Sequence, residues 1–144
     1  MSKEPYKAGL IGKDIFIQRR SVAGGLVAVS DLTIGDRGLK LIVPRTRAVL
    51  SNEIHELILT DEQDAAPGKT VNRVLVLGFM EVKTGGIIAV GDAVSSAEKM
   101  LGEVAGFDET HMPNHMNIVI EAEELVGHKL KLGDEIRISR PKNS

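Results

Sequence analysis

Hydrophobic residues in this chain come in short runs, most of them bounded by glycine. Asp14–Gln18, Gly25–Val29, Leu39–Val43, Gly86–Val90, Asn117–Ala122 and Glu135–Ser139 are each five or six residues long. Val71–Phe79 is longer, and its centre, Val74-Leu75-Val76-Leu77, is apolar on both faces. Short runs rich in valine and isoleucine, separated by turn residues, predict strands. Two stretches carry a different signal. Val49, Leu50, Ile54, Leu57 and Ile58 are spaced as on a helix, which predicts a helix from about Arg47 to Glu56 running into a strand. Ser96–Val104 reads as a short helix by the propensity of Ala97-Glu98-Lys99-Met100-Leu101. It reads equally as a hairpin, with Val94–Ser96 going out and Lys99–Val104 coming back. The polar stretch Thr60–Thr70 reads as a loop, and the tail 140–144 as frayed.

Gly35-Asp36, Gly91-Asp92 and Gly133-Asp134 punctuate the chain, each preceded by an aliphatic residue. Glycine supplies positive φ and aspartate can bond its own backbone, so these pairs mark corners where strands bend or turn back. Together the signals predict an all-β or mainly β fold. The expected form is a small closed or partly open β-barrel of seven to nine short strands with one or two short helices, in a single domain spanning 1–144.

Composition narrows the function classes. The chain has 144 residues, enough for a substantial core without a staple. It contains no cysteine, which excludes disulfides, thiolate metal sites and cysteine nucleophiles. With 18 basic and 20 acidic residues the net charge is −2, and tryptophan is absent. Neither a basic field nor a set of stacking platforms points to nucleic acid. No secretory signal is read in MSKEPYKAGLIGKD, and no run approaches a transmembrane helix in length. The expectation is a cytoplasmic protein with no nucleic-acid or membrane partner. Strongly β-forming segments such as Ile87–Val90 can pair between copies, so a homo-oligomer is also expected.

Candidate chemistry concentrates in Phe107–Asn117, FDETHMPNHMN. These eleven residues hold two acids, two of the four histidines, two asparagines, a threonine and a proline, beside the apolar run Ile118-Val119-Ile120. Polar groups so close to a core strand are costly if buried and unpaired. They must face water, one another or a ligand. His111 and His115 stand in an H-x-x-x-H spacing that a helix would place on one face. Pro113 lies between them, which disfavours a regular helix and biases Met112 to an extended conformation. With Asp108 the two histidines suit a divalent ion such as zinc, iron or nickel, and Glu109 is the candidate base of a metal-dependent hydrolase or isomerase. The competing readings are a polar loop held by its own hydrogen bonds, and a site for an organic or anionic ligand lined by Asp108, Glu109, His111, Asn114 and His115. His55 and His128 are weaker candidates, since sequence does not show whether either meets the loop.

Arg45 and Arg47, following Pro44, form a second constellation. Arginine forks recognise carboxylate and phosphate, so the pair suits a small anionic ligand or a neighbouring subunit's acids. Solvated pairing with Glu53, Glu56 or Asp61 is the plainer alternative. The glycine-rich stretches Ala23-Gly24-Gly25 and Thr84-Gly85-Gly86 match neither a Walker loop nor a dinucleotide fingerprint, and no nucleophilic serine motif is present. The first reads as a hairpin turn, with backbone amides brought near an anion as the alternative.

The order VLVLGFMEVKTGG (74–86), IIAVGDAV (87–94) and LGEVAGFDE (101–109) resembles that of the sorbitol-specific IIA component of the bacterial phosphotransferase system. That resemblance covers about a quarter of the chain and implies a small β-barrel. In the family the phosphoryl group is carried by a histidine in the central strand, just before the Glu-x-Lys stretch. Here that strand reads Leu75-Val76-Leu77-Gly78-Phe79, without histidine. The resemblance therefore implies a relative that is not phosphorylated, or an uncharacterised prokaryotic small-barrel family. Three functions follow: a small-molecule-binding or interaction module sited at 107–117, a metal-dependent enzyme using His111 and His115, or that relative of a sugar phosphotransferase component.

Overall fold

A computed structural model describes residues 15–141. The described chain is all strand and turn. Its elements are β1 (Val22–Val29), β2 (Thr33–Ile34), β3 (Leu39–Lys40), β4 (Thr46–Val49), β5 (Ile54–Thr60), β6 (Thr70–Val71), β7 (Val74–Thr84), β8 (Gly86–Ala89), β9 (Ala93–Ser96), β10 (Lys99–Asp108), β11 (Asn117–Glu121) and β12 (Glu135–Ser139). Seven of them pair in the order β1-β12-β9-β10-β11-β5-β7, and β7 pairs back with β1, so the sheet closes into a ring. Closure leaves these strands without a long free edge. Within the ring β11 and β5 run parallel, and the other pairs are antiparallel. β2 extends the β7 edge, while β3–β6 and β4–β8 form two-stranded pieces outside the ring.

Alternation along the strands divides the apolar residues between two clusters. Leu57, Leu59, Leu77, Met80, Phe107, Ile118, Ile120 and Ile136 belong to the larger one, which fills the ring. Ile58, Val74, Val119 and Ala105 face outward and are covered by Leu39, Leu41 and Val71. The segment from β2 to β3 thus crosses the outer face because that face is apolar there. Each fully buried aliphatic side chain stabilises the fold by about 1.5–3 kcal/mol. Close approaches at strand irregularities use glycine. A Cβ at Gly24 would strike the Glu81 carbonyl, and one at Gly78, where φ is +146°, the Ala28 carbonyl. Gly24 and Gly25 therefore lie inside β1 rather than in the hairpin turn expected of them.

No helix is present among the described residues, which corrects both helical expectations. Over Arg47–Glu56 the chain instead runs as β4, a tight turn and the start of β5. Asn52 takes φ +79°, the Glu53 amide donates to the Leu50 carbonyl, and the Leu50 amide donates to Glu53 Oε1. The helix-like spacing was accidental: Leu50 and Ile54 are exposed, while Leu57 and Ile58 lie on opposite faces of a strand. At 96–104 the hairpin alternative holds, with Ser96 paired to Lys99 and Ala97 at φ +53°. Ile15–Gln18 is not a strand, and Ile17 is 94 % exposed. Asp14, the first residue of that run, lies outside the described residues. Leu39–Val43 shrinks to β3, and the long run from Val71 divides at Asn72-Arg73 into β6 and β7. Among the described residues twelve strands, three of them two-residue pieces, replace the seven to nine expected. The segment at Ile87–Val90, expected to pair between copies, finds β4 as a partner within the chain. Of the tail 140–144, Arg140 donates to the carbonyls of Phe16 and Ile17.

Two of the three Gly-Asp pairs form the same corner. Gly91 and Gly133 have φ of +95° and +87°. The Asp92 amide donates to the Ala89 carbonyl while the Ala89 amide donates to Asp92 Oδ2, and Asp134 does the same with Lys131. Gly35-Asp36 shows no such closure.

Candidate functional site

One row of outward residues crosses four strands of the ring. Asp108 on β10 pairs with Asn117 on β11, Asn117 with Glu56 on β5, and Glu56 with Phe79 on β7. The loop 109–116 folds back over this row. Its turn is closed by the Asn114 and His115 amides, which both donate to the His111 carbonyl. That single closed turn puts the two imidazoles on the same side despite Pro113. Their centroids lie 5.1 Å apart in a stacked arrangement. His115 also meets the edge of Phe79 at 4.9 Å.

Hydrogen bonds fix the tautomers of three rings. Asn114 Nδ2 lies 2.8 Å from His115 Nδ1, and His115 Nε2 lies 3.3 Å from Glu56 Oε1. A carboxylate accepts only, so His115 carries its proton on Nε2. Arg37 Nη2 lies 3.2 Å from His111 Nε2, and a guanidinium donates only, which places the His111 proton on Nδ1. The Met116 amide donates to His55 Nδ1 at 3.0 Å, leaving His55 Nε2–H for Glu53 Oε1 at 3.1 Å. The Leu50 amide holds the Glu53 carboxyl below the usual glutamate range. His55 and Arg47 act in the same direction, against the opposing effect of burial.

The expected site residues separate into distinct roles. Asp108 is fully buried and receives four donors: the Lys40 and Thr110 amides, the Thr110 hydroxyl and Asn117 Nδ2. It anchors the loop from below. Glu109, the candidate base, stands on the surface with Arg47 Nε at 2.7 Å. Arg47 thus joins the loop, although the sequence alternatives paired it elsewhere. Arg45 contributes its carbonyl to the Val90 amide. His111, Asn114 and His115 do come together. His55 supports the loop from the ring side, whereas His128 lies apart, beside Val29, Asp31 and Leu130. Among the described residues no three histidine, aspartate or glutamate groups gather as a metal ion requires.

Sequence reasoning missed Arg37, Glu56 and Asn117. Arg37 sits between a flagged Gly-Asp corner and Gly38, but only the crossing of the outer face brings it to His111. Glu56 entered only as the end of the expected helix and as an alternative ion partner for Arg45 or Arg47. Asn117 lay within the flagged segment, yet its environment depended on its strand neighbours. Its Oδ1 is buried without a hydrogen-bond partner. An acceptor left so costs about 1–3 kcal/mol, which makes it conspicuous in an otherwise satisfied row.

A closed ring of β-strands with a polar loop over its outer face defines the class of protein to which this chain belongs. A family model described as Family of unknown function (DUF6917) matches residues 16–139, and the chain belongs to that family. An uncharacterised family was one of the two relationships that the sequence suggested. No protein of curated function and no solved structure matches, so these comparisons show no relation to the sorbitol-specific IIA component.

Proposed function

We propose that the protein is a binding module for a small organic anion, received at the outer face of the 109–115 turn by Arg37 and His111. The observation that carries this reading is the contact of Arg37 with an imidazole. Among the described residues no carboxylate pairs with Arg37, and its Nη2 rests on His111 Nε2. A guanidinium stationed beside a ring retains N–H donors suited to a carboxylate or phosphate. His111 Nδ1–H adds another donor, and the residue is exposed. Asp108 and the Arg47–Glu109 pair support the reading as positioning elements, since Asp108 ties the turn to β3 and β11 and Arg47 ties it to β4. A divalent ion as the occupant instead would require His111 to exchange its bond with Arg37 for the metal.

Titration calorimetry with acetate, propanoate and inorganic phosphate tests the proposal, with zinc as a separate titrant. Saturable heat with one of the anions is expected, weakened at least about tenfold by Arg37→Ala or His111→Ala. Absence of binding by all three anions, or binding indifferent to both substitutions, overturns it. Stoichiometric zinc binding lost in His111→Ala would put the metal reading in its place.

A further inference from the structure

The bond between Arg37 and His111 also decides what an arriving anion brings with it. We infer that anion binding at this turn is coupled to the uptake of one proton from solvent, which goes to His111 Nε2. The inference rests on the anion site proposed above and deepens it by naming what regulates that site.

Arg37 Nη2 lies 3.2 Å from His111 Nε2. A guanidinium donates only, so in the free protein Nε2 is the acceptor and the ring keeps its one proton on Nδ1. A second proton, on Nε2, would set donor against donor and positive charge against positive charge across that contact. The guanidinium lies on the Nε2 side of the ring. An anion shared by the two residues therefore takes its place between Arg37 and Nε2. There a neutral ring would turn a lone pair towards the anion's oxygen, acceptor against acceptor. A protonated ring turns an N–H and a charge towards it. The anion in turn parts the two cations and neutralises the space between them. Proton and anion thus favour each other, and the coupling is reciprocal.

The groups around the turn leave this step to His111. His115, stacked on it at 5.1 Å, has both nitrogens engaged, with Glu56 of β5 behind it and Asn114 at its side. Asp108 lies beneath the turn with four donors, one of them the Lys40 amide of β3. Glu109 is paired with Arg47 of β4. Among the described residues Arg37 is the one charged side chain bonded to the His111 ring. His111 is exposed, so solvent reaches it.

Nitrogen-15 spectra of the full chain, labelled at histidine, read the protons on each ring. They are recorded near pH 7.5, about one unit above the ordinary histidine value, without ligand and then with saturating acetate, propanoate or inorganic phosphate. The free chain should show His111 with a protonated Nδ1 and a bare Nε2. With whichever anion binds, both nitrogens of His111 should carry protons, while His115 keeps one. The complex then holds one proton more than its parts, so affinity for acetate or propanoate should fall as pH rises, by up to about tenfold per unit. His111→Gln keeps an amide donor but takes up no proton. It should bind more weakly, and its affinity should not fall with pH. A His111 ring that still carries one proton in the saturated complex, with binding lost in Arg37→Ala, would overturn this inference and leave the anion site standing. A pH dependence unchanged in His111→Gln would overturn it as well. Failure of all three anions to bind would remove both.

Discussion

His55 and Glu56 are neighbours on β5, yet they belong to different imidazole–carboxylate pairs on opposite faces of the strand. His55 points into the end of the ring, is 3 % exposed, and spends both nitrogens inside the protein, on Glu53 and on the Met116 amide. Glu56 points outward to His115, whose ring stacks on exposed His111 and whose second nitrogen is held by an exposed asparagine. The same two chemical groups therefore make an enclosed brace on one side and, on the other, a pair that borders the exposed turn of the proposed site. The difference lies in what the second ring nitrogen meets. A backbone amide from the core strand cannot be displaced without unfolding that strand's start. A side-chain amide on a surface turn can be displaced by a ligand.

The largest expected effect breaks the brace. His55→Ala removes a buried ring and leaves the Met116 amide unpaired, and should destabilise the fold by about 2–4 kcal/mol in urea titration. His115→Ala should cost less in the same assay, about 1–2 kcal/mol, since it leaves only side chains without their partner and no core-strand amide. Its effect should also appear as weakened anion binding. Equal losses of stability from the two substitutions would abolish the distinction between brace and site.

Acid titration sharpens the comparison next. The Glu53 carboxyl lies below its ordinary value of 4.5 in the folded chain. Its contribution to stability is thus present above the unfolded value and is lost as pH falls through the lowered one. Glu53→Gln should flatten the acid limb of the stability curve in that window. Glu121 has the opposite sign. Burial raises its carboxyl, and Glu103, directly across on β10, and Asp64 add to the rise. Its contribution is favourable below the unfolded value and is lost as pH rises through the raised one. Glu121→Gln should therefore increase stability at neutral pH, and a decrease measured by thermal denaturation at pH 7 would contradict the assignment. The smallest effect belongs to Arg47→Ala. Its pair with Glu109 is solvent-accessible, so the change in stability should stay within about 1 kcal/mol and shrink further in salt.

Much of this architecture was readable along the chain. Glu135–Ser139 appears as a strand over the predicted residues, because alternating isoleucines with charges between them admit one half-buried arrangement. The corners at Gly91-Asp92 and Gly133-Asp134 were equally legible, since positive φ and a side-chain acceptor are local demands. Arg47–Glu56 was misread because a turn of four residues between two strands can mimic helical spacing over so short a window. The candidate loop was legible as a concentration of polar groups next to a core strand. Its partners Arg37, Lys40, Arg47 and Glu56 were not, because they lie far from it in sequence.

What the sequence by itself determined is the β character of the chain, the positions of its corners, and the stretch where polar groups had to find partners. These follow from side-chain shape, from glycine's access to positive φ, and from the cost of burying unpaired polar atoms. Only the tertiary structure decided which partners those were. Strand register set Asp108, Asn117 and Glu56 in one row, and the outward apolar patch drew the β2–β3 segment across it, carrying Arg37 to His111. Register and packing join residues far apart in the chain, and no local pattern encodes that meeting.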